Sequence, residues 1–201
     1  MAGLFLVFEG IDGCGKSTQA RRLAEALAKK GRDPLHLREP GGTWLGEELR
    51  KLLLAPESRI GSLAEALLYM AARAQLVSER IASERKTRVV LLERYYYSTV
   101  AYQGHGLQLD AARLEALGQW VIDGAEPDRV LLLDLDAREA RGRIRRGEDR
   151  IEQRGEDFFA RVRRGYLAQA ATRPKLFRVI DASGTPDAVH ARVLEAVNDL
   201  V

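Results

Sequence analysis

The stretch Gly10-Ile-Asp-Gly-Cys-Gly-Lys-Ser-Thr18 decides how the rest of this 201-residue chain is interpreted. It follows a nearly continuous apolar run, Leu4–Phe8, and it precedes a segment with apolar or small residues at 20, 23, 24, 27 and 28. A strand, a G-x-x-x-x-G-K-[ST] turn and an amphipathic helix, in that order, turn backbone N–H groups inward around phosphate oxygens. The sequence therefore predicts a loop that binds a nucleoside triphosphate. The loop alone does not separate kinases from GTPases or other ATPases.

Within this loop each residue type has a predicted task. The Lys16 amine would reach the β- and γ-phosphates, and the Ser17 hydroxyl would be a ligand of Mg²⁺. Cys14 has two interpretations: a helix N-terminus can lower the pKa of a thiol, but a small side chain filling a loop position needs no redox role. The predicted ATP-binding set is Gly10, Ile11, Asp12, Gly13, Cys14, Gly15, Lys16, Ser17 and Thr18.

Apolar runs alternate with amphipathic segments along the whole chain, which predicts an α/β fold. The fold expected is a five-stranded parallel sheet covered by helices on both faces, with a basic lid. The predicted strands are Leu4–Phe8, Leu35–Arg38, Val89–Leu92, Val130–Leu133 and Leu176–Ile180. The predicted helices are Lys16–Lys30, Trp44–Leu54, Leu63–Arg85, Asp110–Gly124, Asp157–Thr172 and Pro186–Val201.

Composition limits the class of protein. With 46% hydrophobic and 30% charged residues, the chain is expected to form one globular domain over residues 1–201. Its single cysteine excludes an intrachain disulfide. An apolar run long enough to span a bilayer and a basic leader are both missing from the sequence, so we expect a cytoplasmic protein without a membrane partner. The 32 basic residues are mostly arginine, which suits phosphate recognition but is equally explained by a GC-rich genome.

After the second predicted strand, Arg38-Glu-Pro-Gly-Gly-Thr43 is a tight turn in which Thr43 can cap the next helix. At this point the sequence resembles the thymidylate kinase family, whose members carry REPGGT after a loop like GIDGCGKST. The resemblance extends to LYMAARAQ (residues 68–75), to Glu93-Arg94-Tyr95 and to STVAYQG (residues 98–104). Each motif alone is weak, but together they occur in order and at matching spacings along nearly the whole chain.

The resemblance implies an enzyme that phosphorylates dTMP to dTDP with Mg²⁺ and ATP, without a nucleic-acid partner. It implies that Tyr69 stacks on thymine while Arg73 and Gln103 read it, and that Arg50 and Arg94 hold the acceptor phosphate. Asp12 would contact the sugar 3′-hydroxyl, although it could also stabilise the turn. Arg38 is a further phosphate ligand, unless an ion pair with a nearby acid accounts for it. The implied dTMP-binding set is Asp12, Arg38, Pro40, Arg50, Tyr69, Arg73, Arg94, Ser98, Tyr102 and Gln103.

One position departs from the family pattern. Glu93 stands where relatives usually have Asp, and a Glu-Arg pair at a strand end also resembles the deoxynucleoside kinases, in which the Glu accepts a proton from a hydroxyl. The resemblance implies that residue 93 is a metal ligand beside Ser17, and the departure to Glu93 makes a deoxynucleoside kinase the rival hypothesis. A regulatory GTPase is a third possibility, but the sequence lacks an N-K-x-D guanine motif.

The basic segment from Arg138 to about residue 155 has three interpretations. It could be a solvated helix and loop or a nucleic-acid arm, although interspersed acids argue against the arm. The resemblance instead implies a lid. In one branch of the family the catalytic Arg lies in the phosphate loop, where this chain has Gly13; in the other it lies in the lid, as expected here. Arg146 and Arg150 are the leading candidates, and Arg143 would pack on adenine. The implied catalytic set is Asp12, Lys16, Arg94, Arg146 and Arg150, and the family implies a homodimer.

Overall fold

The computed structural model describes residues 3–144 and 149–201, and its centre is a five-stranded parallel sheet. The strands are β1 (Leu4–Glu9), β2 (Pro34–Arg38), β3 (Val89–Glu93), β4 (Arg129–Asp134) and β5 (Phe177–Asp181). Their order across the sheet is β2-β3-β1-β4-β5. All five predicted strands are present, each longer by a residue or two or shifted by one. The α/β fold class predicted from the sequence is confirmed.

The central strands are covered on both faces. Every residue of β1 and of β3 is buried. Because successive side chains of a strand point to opposite faces, an unbroken buried run requires helices on both sides of the sheet. The outer strands β2 and β5 are only partly buried, as expected of strands at the edges of the sheet.

The helices agree with the predicted ones over most of their lengths. They are α1 (Lys16–Lys29), α2 (Trp44–Leu54), α3 (Ser62–Leu76), α4 (Ala82–Glu84), α5 (Tyr96–Thr99), α6 (Ala111–Ile122), α7 (Ala137–Arg143), α8 (Glu156–Thr172) and α9 (Pro186–Val197). The predicted helix Leu63–Arg85 is interrupted by a π-helical turn over Val77–Ile81. The last helix ends at Val197 instead of continuing to Val201.

The predicted helix cap at Thr43 is confirmed by its hydrogen bond, and Asp110 caps α6 in the same way. Thr43 Oγ1 accepts the N–H of Gly46 at 3.0 Å, and the Asp110 carboxylate accepts the N–H groups of Ala112 and Arg113. Such bonds satisfy the free N–H groups of a first helical turn and typically stabilise it by about 1 kcal/mol. The cap at Thr43 fixes where α2 starts relative to the turn before it.

The segment after β3 is helical, which the sequence pattern did not predict. α5 is followed directly by a π-helical turn over Val100–Gly106, and both pack against α8. Its side chains are largely aromatic, small or polar, so the segment lacks the apolar repeat of an amphipathic helix. Its helical form depends on burial: Tyr95, Tyr96 and Tyr97 are all buried in the core.

The sheet places the two most informative loops side by side. β1 leads into the glycine-rich loop, and β3, its hydrogen-bonded neighbour, leads into Arg94; Phe8 pairs with Glu93 in register. Ligands of open α/β sheets bind at the carboxyl ends of strands where the order reverses. The order β3-β1-β4 puts that point at the end of β1.

Candidate active site

The glycine-rich loop closes over its own lysine. The Lys16 amine donates to the carbonyl oxygens of Gly10 and Ile11, at 2.9 Å each. The loop backbone needs left-handed conformations, with φ of 80° at Gly13 and 99° at Gly15. A Cβ at Gly13 would collide with the backbone carbonyl of Ala140 on α7, so this position has no room for a side chain. An arginine at position 13 is therefore sterically excluded unless α7 moves.

Ser17 and Glu93 meet at the mouth of the loop. Ser17 Oγ donates to Glu93 Oε2 at 2.5 Å, and His36 Nε2 lies 2.8 Å from Glu93 Oε1. Burial alone would raise the pKa of Glu93, but the hydrogen bonds from His36 and Ser17, with the nearby Lys16 charge, outweigh burial and lower this pKa below 4.5. Glu93 is therefore a carboxylate at neutral pH.

These oxygens fit a magnesium ion. Mg²⁺ is usually held by one or two protein oxygens together with substrate phosphates, rather than by a cage of protein ligands. The described residues contain no cluster of three or more His, Cys, Asp or Glu side chains that could hold a metal ion. The adjacent hydroxyl and carboxylate of Ser17 and Glu93 provide the expected donor type.

Cys14 is buried with only 1% of its surface exposed, and burial raises the pKa of its thiol. A raised pKa keeps the thiol protonated, whereas redox chemistry needs the thiolate. The geometry favours the interpretation of Cys14 as a small packed side chain.

Arg94 connects the glycine-rich loop to the second half of the cleft. One of its terminal nitrogens donates to Asp12 Oδ1 at 2.5 Å and to Tyr102 OH at 3.1 Å, while the other donates to Ser98 Oγ at 3.2 Å. Its guanidinium also stacks on the Tyr102 ring, 4.8 Å from the centroid. Arg94 has a φ of 68°, an unusual value for a residue with a side chain, so its neighbours must hold its backbone in place.

Asp12 is ionised in this arrangement. Burial opposes ionisation, but the charges of Arg94 and Lys16 and the hydrogen bond from Tyr102 lower the pKa of Asp12 to about 2. Asp12 therefore bonds to Arg94 and Tyr102 through its side chain, beyond any role in shaping the turn.

A cavity lined in part by Arg94 adjoins the glycine-rich loop, and we call it the acceptor cavity. Nine of the ten predicted acceptor residues line it: Asp12, Pro40, Arg50, Tyr69, Arg73, Arg94, Ser98, Tyr102 and Gln103. Arg38, the tenth, lines the neighbouring larger cavity that contains the loop; its side chain is half exposed and lies 3.9 Å from Glu47. That weak ion pair leaves the guanidinium accessible.

Arg50 lines both cavities. Its guanidinium donates to the carbonyl of Pro40 at 3.0 Å. Burial, and then repulsion by the Arg38 and Arg94 charges, lower the pKa of Arg50. An anion placed among these three arginines would relieve that repulsion, as expected of a phosphate site.

Arg73 is almost fully buried and is oriented by Glu39. Its Nε donates to Glu39 Oε2 at 2.7 Å, and another nitrogen donates to Thr99 Oγ1 at 3.0 Å. Burial raises the pKa of Glu39 to about 7, against the lowering effect of Arg73. Among the residues that the structure describes, the other carboxylate oxygen of Glu39 is buried without a hydrogen-bond partner. Breaking such a pair would be costly, since it leaves a buried charge alone.

Gln103 is held by a second buried carboxylate, Glu65. Gln103 Nε2 donates to Glu65 Oε1 at 2.8 Å, and Arg150 and Arg154 of the lid each donate to Glu65 Oε2 at 2.6 Å. Arg150 also donates to the carbonyl of Leu53 at 2.9 Å. Burial would raise the pKa of Glu65, but these donors lower it, so Glu65 is ionised. The lid is thereby tied to the acceptor cavity through one carboxylate.

The larger cavity contains most of the predicted ATP-binding residues. Asp12 to Thr18, Glu93 and Arg143 line it, whereas Gly10 and Ile11 contribute the carbonyls that hold Lys16. Arg143, which is expected to pack on adenine, donates to the carbonyl of Ala182 at 3.0 Å, directly after β5. Arg146 lies outside the described residues.

Several residues that organise the site were not predicted from the sequence: Glu9, His36, Glu39, Glu65 and Tyr166. Glu65 precedes Tyr69 by one helical turn, so the same helix face could have indicated it. Glu39 lies inside the REPGGT segment, and Glu9 is an acid at the end of an otherwise apolar strand. His36 and Tyr166 carry no sequence signal, because their partners are far away along the chain.

Two cavities that share Arg50 and Arg94 suit transfer of a phosphoryl group between two phosphorylated molecules, which is the chemistry of a P-loop nucleoside monophosphate kinase. A sequence profile described as thymidylate kinase matches residues 8–193. The chain belongs to the thymidylate kinase family, and the resemblance predicted from its sequence is confirmed.

Individual proteins that are similar to this chain are also thymidylate kinases. The chain is 45% identical to a thymidylate kinase of Pelotomaculum thermopropionicum, over all of this chain and 95% of that protein. It is 44% identical to a thymidylate kinase of Bifidobacterium longum, with both chains fully covered. The crystal structure of thymidylate kinase from Ehrlichia chaffeensis superimposes with a TM-score of 0.81 at 30% identity, covering 98% of this chain and all of that one. Within the described residues, every helix is too short or too polar to cross a membrane.

Proposed function

We propose that this enzyme phosphorylates dTMP to dTDP with ATP, a step of dTTP synthesis. The observation that carries the proposal is that the loop cavity and the acceptor cavity share Asp12, Glu39, Arg50 and Arg94. A donor phosphate held by the loop would therefore face an acceptor phosphate held by Arg50 and Arg94. Such an arrangement pre-orients two reactants for in-line displacement.

The nucleoside of the acceptor occupies the inner end of its cavity. Tyr69 stacks on thymine, while Arg73 and Gln103 donate hydrogen bonds to it. Their partners Glu39 and Glu65 hold both donors in fixed positions. Asp12 and Tyr102 face the sugar, and Pro40 and Ser98 complete the walls.

The acceptor oxygen needs no strong base. The second pKa of a phosphate monoester is about 6, so the nucleophile is already ionised near neutral pH. What the site must supply is positive charge that offsets the repulsion between two polyanions. Lys16 acts on the β- and γ-phosphates, and Arg38, Arg50 and Arg94 act on the acceptor phosphate.

Ser17 and Glu93 are the residues that would hold Mg²⁺. When bound, the ion would neutralise charge on the β- and γ-phosphate oxygens. Arg143 would pack on adenine beside Ala182, and Arg146 of the lid would stabilise charge on the transferred group, as arginine fingers do.

A coupled assay of ADP release, run in parallel with dTMP, thymidine and no acceptor, tests the proposal. We expect turnover with dTMP only. Turnover of thymidine in place of dTMP would favour the deoxynucleoside kinase, and GTP hydrolysis without an acceptor would favour the GTPase. The position of Glu93 does not favour a deoxynucleoside kinase. Its two oxygens contact Ser17 and His36, and it lines the loop cavity instead of the acceptor cavity.

We also propose that the enzyme is a homodimer. α3 packs between α2 and α6, and these three helices carry apolar side chains that are largely exposed: Trp44, Leu52, Leu63, Leu67 and Trp120. Trp44 and Trp120 are about 80% exposed, which is unfavourable for large apolar side chains in water. A second copy of the chain is the occupant that the family resemblance implies. The cytoplasmic location and the lack of a nucleic-acid partner stay predictions from the sequence.

A further inference from the structure

Glu9 is a fully buried carboxylate to which the phosphoryl-transfer scheme gives no task. It is the last residue of β1 and has none of its surface exposed. An acid in this position is costly unless hydrogen bonds compensate for the lost water. The hydrogen bonds of Glu9 therefore indicate its role.

Each oxygen of Glu9 has its own partners. Oε1 accepts the backbone N–H of Tyr95 at 2.7 Å. Oε2 accepts the hydroxyls of Ser98 at 2.6 Å and Tyr166 at 2.9 Å, and these two hydroxyls lie 2.7 Å from each other. The four groups form one connected network inside the protein.

The backbone half of this network fixes the turn at Arg94. The N–H of Arg94 donates to the carbonyl of Phe8 at 2.9 Å, and the next N–H, that of Tyr95, donates to Glu9. These consecutive bonds to the end of β1 hold Arg94 at its φ of 68°. A residue with a side chain keeps such a conformation only when its surroundings stabilise it.

The hydroxyl half of the network fixes the guanidinium. Arg94 Nη1 donates to Ser98 Oγ at 3.2 Å and lies 3.5 Å from Tyr166 OH, and these are the two hydroxyls that bond to Glu9. Its other terminal nitrogen faces Asp12 and Tyr102. Arg94 is thus held from one side by the network of Glu9 and from the other by residues of the cleft.

Glu9 itself lines neither cavity, in contrast to Arg94, which lines both. We propose that Glu9 is a positioning residue for the acceptor phosphate, acting through Arg94 by fixing both its backbone turn and its guanidinium. This inference rests on the proposed role of Arg94 as a phosphate ligand. Glu9 has no direct contact with a substrate and no role in proton transfer.

The first experiment compares steady-state kinetics of the wild type and Glu9→Gln with each substrate varied in turn. Glutamine keeps the size of the side chain and an oxygen for Tyr95, but its NH2 group cannot accept from both hydroxyls. We expect the KM for dTMP to rise about tenfold to a hundredfold, as for small displacements of a positioning group, with the KM for ATP within twofold. A rise of both KM values together, or of neither, would overturn the proposal.

Asp128→Asn is the matched control for this variant. Asp128 accepts the N–H of Phe5 at 2.7 Å, so it makes the same type of bond, between a carboxylate and a backbone N–H, at the opposite end of β1 from Arg94. We expect this control to change stability without changing either KM. Tyr166→Phe removes one hydroxyl of the network and keeps the carboxylate, and it replaces Glu9→Gln if that variant does not fold. It should raise the KM for dTMP alone, by a smaller factor.

A double-mutant cycle with Arg94→Lys separates the positioning role proposed for Glu9 from the phosphate-binding role proposed for Arg94. If Glu9 acts through Arg94, then Glu9→Gln causes little further loss in the Arg94→Lys background, whereas independent roles give multiplied losses and overturn the inference. An unchanged KM for dTMP in Arg94→Lys alone would instead refute the role proposed for Arg94. Failure of the Glu9 inference and failure of the role of Arg94 therefore give different kinetic results.

Discussion

Arg150 donates to the carboxylate of Glu65 at 2.6 Å, and so a residue of the basic lid is bonded to an acid directly behind the lining of the acceptor cavity. The same carboxylate holds Gln103, which is expected to read thymine. Arg150 therefore contacts the acceptor side of the cleft in this structure, and a catalytic role would require its guanidinium to leave Glu65.

This contact leads to different expectations for the two candidate lid arginines. Arg146→Ala should lower kcat by about a thousandfold with little change in the KM for dTMP, as for the loss of an arginine finger. Arg150→Ala should mainly raise the KM for dTMP, because Glu65 and Gln103 lose a neighbour that orders them. Steady-state kinetics of both variants decide the assignment, with the exposed Arg164→Ala as control. The opposite result, a kcat defect in Arg150→Ala alone, would make Arg150 the finger.

A second prediction concerns the Lys16 amine. Lys16→Ala should abolish phosphoryl transfer, because no other side chain of the loop carries a positive charge to the β- and γ-phosphates. The fold should persist, as judged by circular dichroism and thermal unfolding. Lys29→Ala, an exposed lysine at the end of the same helix, is the control and should be fully active. Activity remaining in Lys16→Ala would refute the assignment of the loop.

Glu93 provides a test of metal binding. Glu93→Gln removes the carboxylate and keeps its size, so the Mg²⁺ concentration for half-maximal rate should rise several-fold while the KM for dTMP stays close to that of the wild type. Titration of Mg²⁺ at saturating ATP and dTMP measures this. Glu152→Gln, another buried acid that lines the loop cavity, is the matched control and should leave the Mg²⁺ requirement unchanged. An unaltered requirement in Glu93→Gln would exclude Glu93 as a metal ligand.

The pKa of Asp12 predicts a pH dependence of stability. Because this pKa is about 2 in the folded protein and 3.8 ordinarily, ionised Asp12 stabilises the fold above pH 3.8. That contribution is lost as the pH falls from about 4 towards 2, when the carboxylate becomes protonated. Denaturant unfolding from pH 6 to pH 2.5 should thus show a smaller loss of stability in Asp12→Asn than in the wild type. Parallel curves for the two proteins would contradict the pairing of Asp12 with Arg94.

The exposed helix face predicts an oligomeric state. Leu67→Glu places a charge on α3 in the centre of this face, and it should convert a dimer to a monomer in sedimentation velocity or light scattering. Val179→Glu is the control, since Val179 is equally exposed but lies on the edge strand β5. A wild-type monomer, or a dimer that persists in Leu67→Glu, would exclude this interface.

Sequence alone predicted the sheet well for a physical reason. β1, β3 and β4 are almost wholly apolar, so runs of consecutive apolar residues indicate that they are buried. The acceptor residues carry no comparable pattern, and they were predicted through the family resemblance. The helical segment after β3 and the buried acids Glu9 and Glu65 escaped both approaches, because their stability comes from partners dozens of residues away.

The pairing of β1 with β3 has a consequence for how this enzyme can change during evolution. Hydrogen-bonded strands are about 4.8 Å apart regardless of the side chains that they carry. The loop for the donor and the turn that bears Arg94 leave from two such strands, in register at Phe8 and Glu93. The spacing between the two reacting molecules is thus set by the peptide backbone, and mutations in the surrounding helices can alter which base is accepted without altering that spacing.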